Sequence, residues 1–322
     1  MRKRLLSFCL LAVCILEPRA LCLLQAAEIT LEGQLITDSA GRNVEAGKPF
    51  QRIISLYPAH TENLFELGAQ DQVAGVSGNE NDPPLAKRKP RFSYHDDLEK
   101  FLSARPDLIL IRPMIDRGYG KLMERLESYG VAVVSLQPSS VDQMVVYWRI
   151  LGKLTGRPEG AEKMVGRFEE SVRRIRSRTT AIQTKKKVYF EAIHDEMRTF
   201  SPAAMPIFAL ETAGGVNIAG DAPPRRGTNI ADYGKERILS HADEIDVFLA
   251  QVGPMNRPRV ETSTSEPGFG LISAVRNKAV YLIDEKLVSR PTLRLLSGIC
   301  HIGRILYPDI FLKESDALGC FK

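Results

Sequence analysis

Residues 158–182 read PEGAEKMVGRFEESVRRIRSRTTAI, and this stretch decides the fold. Its apolar side chains recur at the spacing of one helical face, while Glu and Arg occupy the other faces. The apolar positions are Ala161, Met164, Val165, Phe168, Val172, Ile175 and Ile182. Pro158 suits the first turn of a helix, where its missing N–H leaves no bond unmade. At 1.5 Å per residue, the predicted helix is about 38 Å long.

The position of this helix predicts the domain organisation. It lies near the middle of the chain and is followed by the charged run Lys185-Lys186-Lys187. An ordinary long surface helix has the same pattern, but the central position favours a connecting element. We therefore expect an N-terminal lobe over residues 28–157, a connecting helix over 158–184 and a C-terminal lobe over 185–322.

Short runs of β-branched and apolar residues occur on both sides of the predicted helix. Helical patterns separate most of them, and nearly continuous apolar strands that alternate with helices are typical of parallel sheets covered on both faces. The runs are 52–56, 107–111, 131–136, 187–192, 246–250 and 279–283. The predicted fold class is α/β, with a mainly parallel central sheet in each lobe.

A short motif occurs once in each predicted lobe. Residues 99–103 read EKFLS and precede the strand at 107–111, while residues 236–240 read ERILS and precede the strand at 246–250. Glu, a basic residue, an apolar residue, Leu and Ser thus recur in the same order and the same context. This repetition indicates that the two lobes are duplicated units, because a solenoid has a much shorter period.

The first 27 residues have the pattern of a secretory signal peptide. A positive start at Arg2-Lys3-Arg4 precedes an apolar run over residues 5–16, and Ala26-Ala27 marks a cleavage site before Glu28. The apolar run is shorter than the roughly 20 residues that cross a bilayer. We expect a soluble periplasmic protein, and a lipid anchor on Cys14 or Cys22 is the alternative.

Charge and cysteine content narrow the class of protein further. The formal charge is +5, of which residues 1–27 contribute +3 from four basic residues against Glu17. The remaining +2 gives no support for nucleic-acid binding. After residue 27 only Cys300 and Cys320 remain. A disulfide between them is permitted in an oxidising compartment, but a buried free thiol at Cys300 is the simpler expectation.

Enzymatic motifs are missing from the sequence. It contains no P-loop, no GxSxG elbow and no HExxH pair. Glu191 and Glu196 could be assigned as an acid and a base, but paired carboxylates are too common to indicate catalysis. We expect a protein that is not an enzyme and has no resident cofactor.

Several motifs along the chain resemble the periplasmic proteins that bind iron–siderophore complexes, haem or vitamin B12 for ABC importers. They occur in order from about residue 50 to residue 312, which is nearly the whole chain after the signal sequence. The matching pieces are 52–62 (RIISLYPAHTE), 67–76, 82–84 (DPP), 98–99, 105–108 (RPDL), 214–218 (GGVNI), 289–291 (SRP) and 306–308 (LYP). The resemblance implies two Rossmann-like lobes joined by a single long backbone helix, with the ligand in the cleft between them.

The resemblance also implies partners and site residues. In this family one exposed Glu on each lobe docks on the two subunits of an inner-membrane permease, and by position these are Glu99 and Glu236. A first-turn Glu that favours the helix dipole is the structural alternative for both. The expected protein is a monomer that delivers its ligand to the ABC permease dimer. Ligand-binding candidates are Tyr57, Pro58, His60, Phe92, Tyr94, Phe200 and Arg290.

The ligand itself stays a ranked set at this point. A metal chelate, either a ferric siderophore or a cobalamin-like corrinoid, ranks first, so that the ligand brings its own iron or cobalt. Haem ranks second. A bare Zn²⁺ or Mn²⁺ ion ranks third, because the histidines at 60, 95 and 194 lack the close spacing of a metal site.

Overall fold

The computed structural model describes residues 28–80, 82–225, 228–254, 256–313, 318 and 320, so the predicted signal peptide lies outside the described residues. The strands are β1 (Thr30–Glu32), β2 (Leu35–Thr37), β3 (Asn43–Glu45), β4 (Ile53–Ser55), β5 (Val73–Ser77), β6 (Arg91–Phe92), β7 (Leu108–Ile111), β8 (Ala132–Ser135), β9 (Lys187–Ile193), β10 (Arg198–Phe200), β11 (Val216–Asn217), β12 (Ile230–Asp232), β13 (Val247–Val252) and β14 (Val280–Asp284).

The helices are α1 (Pro58–Glu66), α2 (Leu98–Ser103), α3 (Pro113–Ser128), α4 (Val141–Thr155), α5 (Pro158–Thr179), α6 (Met205–Thr212), α7 (Lys235–Ser240), α8 (Val260–Ser265), α9 (Ser273–Arg276), α10 (Glu285–Val288), α11 (Arg294–Leu306) and α12 (Pro308–Lys313). None of these helices combines the length and the apolar character that crossing a bilayer requires.

The first lobe is built on a five-stranded sheet with the order β6-β5-β4-β7-β8. All four neighbouring pairs are parallel. The central strands β4 and β7 are buried along their whole length, as expected for a sheet covered by helices on both faces. The carboxyl ends of all five strands therefore lie at one edge of the sheet.

The second lobe repeats the central part of this arrangement. Its sheet has the order β12-β10-β9-β13-β14, and β9, β13 and β14 are parallel to one another. The α/β fold with two mainly parallel sheets is confirmed. The sequence did not reveal the antiparallel strands β10 and β12 at one side of this sheet, or the antiparallel meander β1-β2-β3. All of these are three-residue strands, too short for a periodic pattern.

Helix α5 lies between the two sheets in the chain and ends at Thr179, whereas the connecting helix was expected to extend to residue 184. Its buried face contains six of the seven apolar residues of the predicted stripe. Phe168 packs between the lobes: its ring lies 5.6 Å from that of Trp148 on α4 and 6.1 Å from that of Phe208 on α6. The rings of Trp148, Phe168 and Phe208 thus form a continuous row that connects the two lobes across α5.

Cys300 and Cys320 form a disulfide bond, with their Cα atoms 5.7 Å apart. The expectation of a free thiol at Cys300 is therefore wrong. Cys300 is buried on α11, as its apolar neighbours in sequence predicted, but Cys320 is buried beside it. The sequence near Cys300 could not predict that the segment containing Cys320 packs against α11.

Candidate ligand pocket

A pocket of about 180 Å³ opens at the carboxyl edge of the first sheet. Clefts beyond the carboxyl ends of parallel strands are the usual ligand sites of such sheets. Its lining residues follow or end β4, β5, β6 and β7: Leu56, Tyr57, Pro58, Ser77, Gly78, Asn79, Phe92, Ser93, Tyr94, Arg112, Met114 and Ile115. The volume is below the ~300–1,000 Å³ that encloses a drug-sized ligand, so this pocket would hold only part of a large ligand.

Arg112 supplies the positive charge of this pocket. It follows β7 directly, and its guanidinium carbon lies 5.0 Å from the centroid of the Tyr57 ring, in a cation–π contact. One of its nitrogens also lies 3.6 Å from Sδ of Met114. Within the part of the chain that the structure describes, Arg112 forms no ion pair. Its guanidinium is stacked on an aromatic ring, and the residue is partly exposed.

Tyr57 lies between positive groups from both lobes. Burial raises the pKa of its hydroxyl, and the positive charges of Arg112 and Arg290 oppose that shift. Arg290 belongs to the second lobe, where its guanidinium lies 3.3 Å from Glu285. Among the residues that the structure describes, Arg290 of the second lobe is thus paired with Glu285, whereas Arg112 of the first lobe forms no ion pair.

Four of the seven predicted ligand residues line the pocket, namely Tyr57, Pro58, Phe92 and Tyr94. Phe92 is held in place by packing: its ring lies 5.3 Å from that of Phe101. A Cβ atom at Gly75 would lie only 2.4 Å from the Phe92 ring. The absence of a side chain on the neighbouring strand therefore makes room for this aromatic wall.

His60 and Phe200 do not line this pocket. His60 is fully buried, and both of its ring nitrogens make hydrogen bonds inside the protein, to Tyr147 and to the Ile111 carbonyl. Phe200 is 1% exposed and packs edge-on against Phe190 at 5.1 Å. Both residues follow or end a strand in the sequence, as pocket residues do, but their side chains point into the core.

An aromatic rim continues outward from Tyr94. The rings of Tyr94, His95 and Tyr119 lie 4.6–5.1 Å from one another. The Tyr119 hydroxyl lies 2.9 Å from Nδ1 of His95. Tyr119 interrupts α3 with non-helical angles, φ −134° and ψ 28°. This break turns its ring toward the rim instead of along the helix.

The histidines that were candidates for a bare metal ion do not converge. His95 is exposed on the rim of the first lobe, whereas His194 belongs to the second lobe and lies 3.0 Å from Glu191 through Nδ1. This contact raises the pKa of His194, while burial raises the pKa of Glu191. Among the described residues, no group of three or more His, Cys, Asp or Glu has a geometry that could hold a metal ion.

Ion pairs fix the part of α3 that forms one pocket wall. Asp116 lies one residue after Ile115, and its carboxylate accepts two hydrogen bonds from the Arg42 guanidinium, at 3.0 and 2.8 Å. Arg42 in turn contacts the fully buried Asp38 at 2.9 Å. The small meander β1-β2-β3 is thereby attached to the pocket wall, although neither ion pair was evident from the sequence.

Glu99 and Glu236 occupy equivalent places in the two lobes. Each is exposed and is the second residue of a six-residue helix, α2 or α7. Ser103 and Ser240 donate their hydroxyls to the carbonyl oxygens of Lys100 and Arg237, at 2.7 and 2.8 Å. The repeated motif thus forms the same local structure twice.

Sequence reasoning missed Arg112, Met114 and the loop that begins with Ser77. The available signal was position: Arg112 directly follows a fully apolar strand, where the carboxyl edge of a parallel sheet places its residues. Ser77 lines the pocket, and among the described residues its buried hydroxyl has no hydrogen-bond partner.

Comparison with known proteins places the chain in a family. Residues 53–287 match the family model described as periplasmic binding protein. The ABC transporter substrate-binding lipoprotein YvrC of Bacillus subtilis is 24% identical over 282 residues, which cover 86% of this chain and 86% of YvrC. The vitamin B12-binding protein of Vibrio cholerae is 25% identical over 257 residues, covering 78% of this chain and 88% of that protein.

A solved structure agrees with these sequence matches. It is described as a possible iron-binding, periplasmic solute-binding protein from Staphylococcus epidermidis. Its TM-score is 0.70 at 27% identity, and the match covers 81% of this chain and 100% of that one. The chain therefore belongs to the periplasmic binding protein family, as a substrate-binding protein of the ABC-transporter type.

Proposed function

We propose that this protein captures an anionic metal chelate in the cleft and delivers it to an ABC permease in the inner membrane. The observation that carries the proposal is Arg112, a pocket guanidinium stacked on Tyr57 that forms no ion pair within the described ranges. A pocket cation without a carboxylate partner favours a ligand that brings its own negative charge. The names of the relatives support iron or corrin ligands as the class.

The geometry favours a ligand larger than the pocket of the first lobe. That pocket has about 180 Å³, and Arg290 approaches Tyr57 from the second lobe. A chelate with acidic arms could place one arm on Arg112 and turn its other face toward Arg290. Ferric siderophores and cobalamin-like corrinoids stay first in rank and haem second. A bare metal ion ranks last, because among the described residues no group of three or more His, Cys, Asp or Glu side chains could hold one.

Delivery requires a surface that the permease can recognise. Glu99 and Glu236 are exposed at matching positions of the two lobes and suit a partner with two-fold symmetry that presents cations. We infer that the protein works as a carrier without catalytic activity. Export to the periplasm, either soluble or held by a lipid on Cys14 or Cys22, is consistent with this role.

The decisive experiment measures chelate binding by the purified protein and two arginine variants. Absorption spectra and native mass spectra with haemin, cyanocobalamin and ferric catecholate or hydroxamate siderophores identify which class binds. Arg112→Met keeps most of the side-chain volume and removes the charge. A charged hydrogen bond contributes about 1.5–3 kcal/mol, so affinity should fall roughly 10- to 100-fold.

Arg117→Met is the matched control, because Arg117 is exposed on α3, the helix that Arg112 precedes, and does not line the pocket. Its affinity should equal that of the unchanged protein. Equal affinity of the Arg112→Met variant would reject the assignment of Arg112. Chemical turnover of a captured ligand would instead support the enzyme alternative.

A further inference from the structure

A chain of buried hydrogen bonds runs from the pocket to the opposite lobe. It begins at the Ile111 carbonyl, which lies 2.9 Å from Nε2 of His60. Nδ1 of His60 lies 2.7 Å from the Tyr147 hydroxyl, which accepts from Nδ2 of Asn63 at 3.2 Å. Asn63 also donates to the carbonyl oxygen of Pro291 in the second lobe, at 2.9 Å.

The donor and the acceptor of every hydrogen bond in this series follow from the groups at its two ends. A carbonyl can only accept, so Nε2 of His60 must carry the hydrogen that points to Ile111. In a neutral imidazole Nδ1 is then an acceptor, and the Tyr147 hydroxyl donates to it. That hydroxyl uses a lone pair to accept from Asn63, whose second N–H reaches Pro291. Only one arrangement satisfies all the members.

Burial keeps this arrangement in place. His60, Tyr147 and Asn63 are each 1% exposed or less. Burial lowers the pKa of His60 to about 4, so the ring is neutral at physiological pH, as the chain requires. Trp148 adds a further bond at the far end, because its Nε1 donates to the same Pro291 carbonyl at 3.1 Å. A buried donor or acceptor left without a partner is costly, so breaking one of these bonds destabilises the others.

Both ends of this chain of hydrogen bonds adjoin an arginine, Arg112 of the pocket at one end and Arg290 of the second lobe at the other. Ile111 immediately precedes Arg112, and Pro291 immediately follows Arg290. The His60 ring also lies 5.1 Å from the ring of Tyr57, in an edge contact beneath the pocket. His60, which was expected to contact the ligand, is therefore buried behind Tyr57.

A second set of contacts joins the lobes nearer the surface. Arg294 of the second lobe contacts Glu62 at 2.7 Å and Asp82 at 3.2 Å, both in the first lobe. Lys286 approaches Asp82 at 3.8 Å. These pairs are partly exposed and each contributes little, so the buried chain is the more specific connection.

We propose that His60 is a positioning residue that, through Tyr147 and Asn63, holds the strand end bearing Arg112 at a set distance from the segment bearing Arg290. The spacing of the two arginines is thereby determined before any ligand arrives. The benefit of this spacing for ligand binding rests on the proposed chelate binding. The role of His60 in holding the two lobes at a set distance does not. A preorganised cleft spends less of its binding free energy on ordering the protein.

The test measures lobe geometry in the ligand-free protein. Nitroxide labels on a ketone-bearing amino acid at positions 124 and 277, one exposed site on each lobe, report the distribution of inter-lobe distances by pulsed electron spin resonance. We expect one narrow distribution for the unchanged protein and a broadened or shifted one for Tyr147→Phe, which removes only the hydroxyl. Tyr189→Phe is the control and should leave the distribution unchanged, because the buried Tyr189 hydroxyl has no hydrogen-bond partner among the described residues.

His60 variants separate positioning from packing. His60→Gln keeps one donor and one acceptor, so it should give a narrower distribution than His60→Phe. In the unchanged protein, nitrogen-15 spectra should show a neutral His60 ring with its proton on Nε2. A folded Tyr147→Phe protein with the original distance distribution would overturn the proposal. If that variant does not fold, a His60 ring with its proton on Nδ1 would overturn it equally. Since no step uses a ligand, failure of chelate binding would leave these readouts unaffected.

Discussion

Asp107 and Asp246 make the same contacts in the two lobes. The Asp107 carboxylate accepts from the backbone N–H of Arg52 at 2.8 Å, and Asp246 accepts from that of Lys187 at 2.8 Å. The backbone N–H of each aspartate donates to the carbonyl of the same partner, at 3.1 and 2.9 Å. Each aspartate thereby joins the starts of the two central strands of its sheet.

Replacement of either aspartate should destabilise its own lobe. Asp107→Ala removes the acceptor for the N–H groups of Gln51 and Arg52, whereas Asp246→Ala removes one bond, to Lys187. A hydrogen bond to a charged group contributes about 1.5–3 kcal/mol, and partial exposure places these at or below the lower end. Urea unfolding should show the larger loss for Asp107→Ala. The comparison variant is Asp309→Ala, whose side chain is 90% exposed; equal losses in all three would contradict the assignment.

The two exposed glutamates should affect delivery and not capture. Glu99→Ala and Glu236→Ala remove negative charges from helix starts that lie outside the pocket, so chelate affinity should be unchanged. Transport by cells that express the cognate permease should fall for each single variant and further for the double variant. Glu124→Ala, exposed on α3 of the first lobe, is the matched control. Normal uptake by the double variant would exclude docking through these residues.

Replacement of Phe168 on α5 should destabilise the protein strongly. It is 2% exposed and packs against Trp148 and Phe208, so Phe168→Ala leaves a cavity between the lobes. Such a change typically costs about 3–5 kcal/mol of unfolding free energy. Tyr129→Ala makes a similar truncation at a side chain that is 65% exposed and should cost far less. Calorimetry measures the melting temperatures of both variants. Similar values would show that the aromatic contact contributes little to stability.

Glu80 should make stability depend on pH near neutrality. Its side chain is buried, and burial raises its pKa from 4.5 to about 7. Between these values the folded state binds more protons than the unfolded state, so this group lowers stability as pH rises through that window. Above about pH 7 its destabilising effect is complete.

Glu80→Gln removes this titration. The melting temperature of the variant relative to the unchanged protein should therefore increase between pH 4.5 and pH 8. Other groups, including His60, are common to both proteins and cancel in the difference. Glu124→Gln, at an exposed position, serves as the control. A difference that is constant over this range would show that the Glu80 carboxyl is not buried as described.

The pocket could be predicted only in part, and particular residues show why. Tyr57 and His60 both follow β4 in sequence, yet Tyr57 lines the pocket and His60 lies beneath it. They are separated by one turn of α1, and the direction of that helix decides which of them faces the cleft. Phe200 ends β10 and its side chain is buried, because successive side chains of a strand point to opposite faces of the sheet.

The sequence by itself determined the elements and their repetition. The buried strands, the helix that starts at Pro158 and the paired EKFLS and ERILS motifs are visible because strand and helix periodicities, and repeated motifs, are local properties of the chain. Only the tertiary structure decided which charges are paired and which polar groups meet. His60, Tyr147 and Pro291 are far apart in sequence and become neighbours when the two lobes pack, and Arg112 stands unpaired within the described residues because of where the sheet edge places it. Contacts between distant segments depend on the whole packing, which no short stretch of sequence contains.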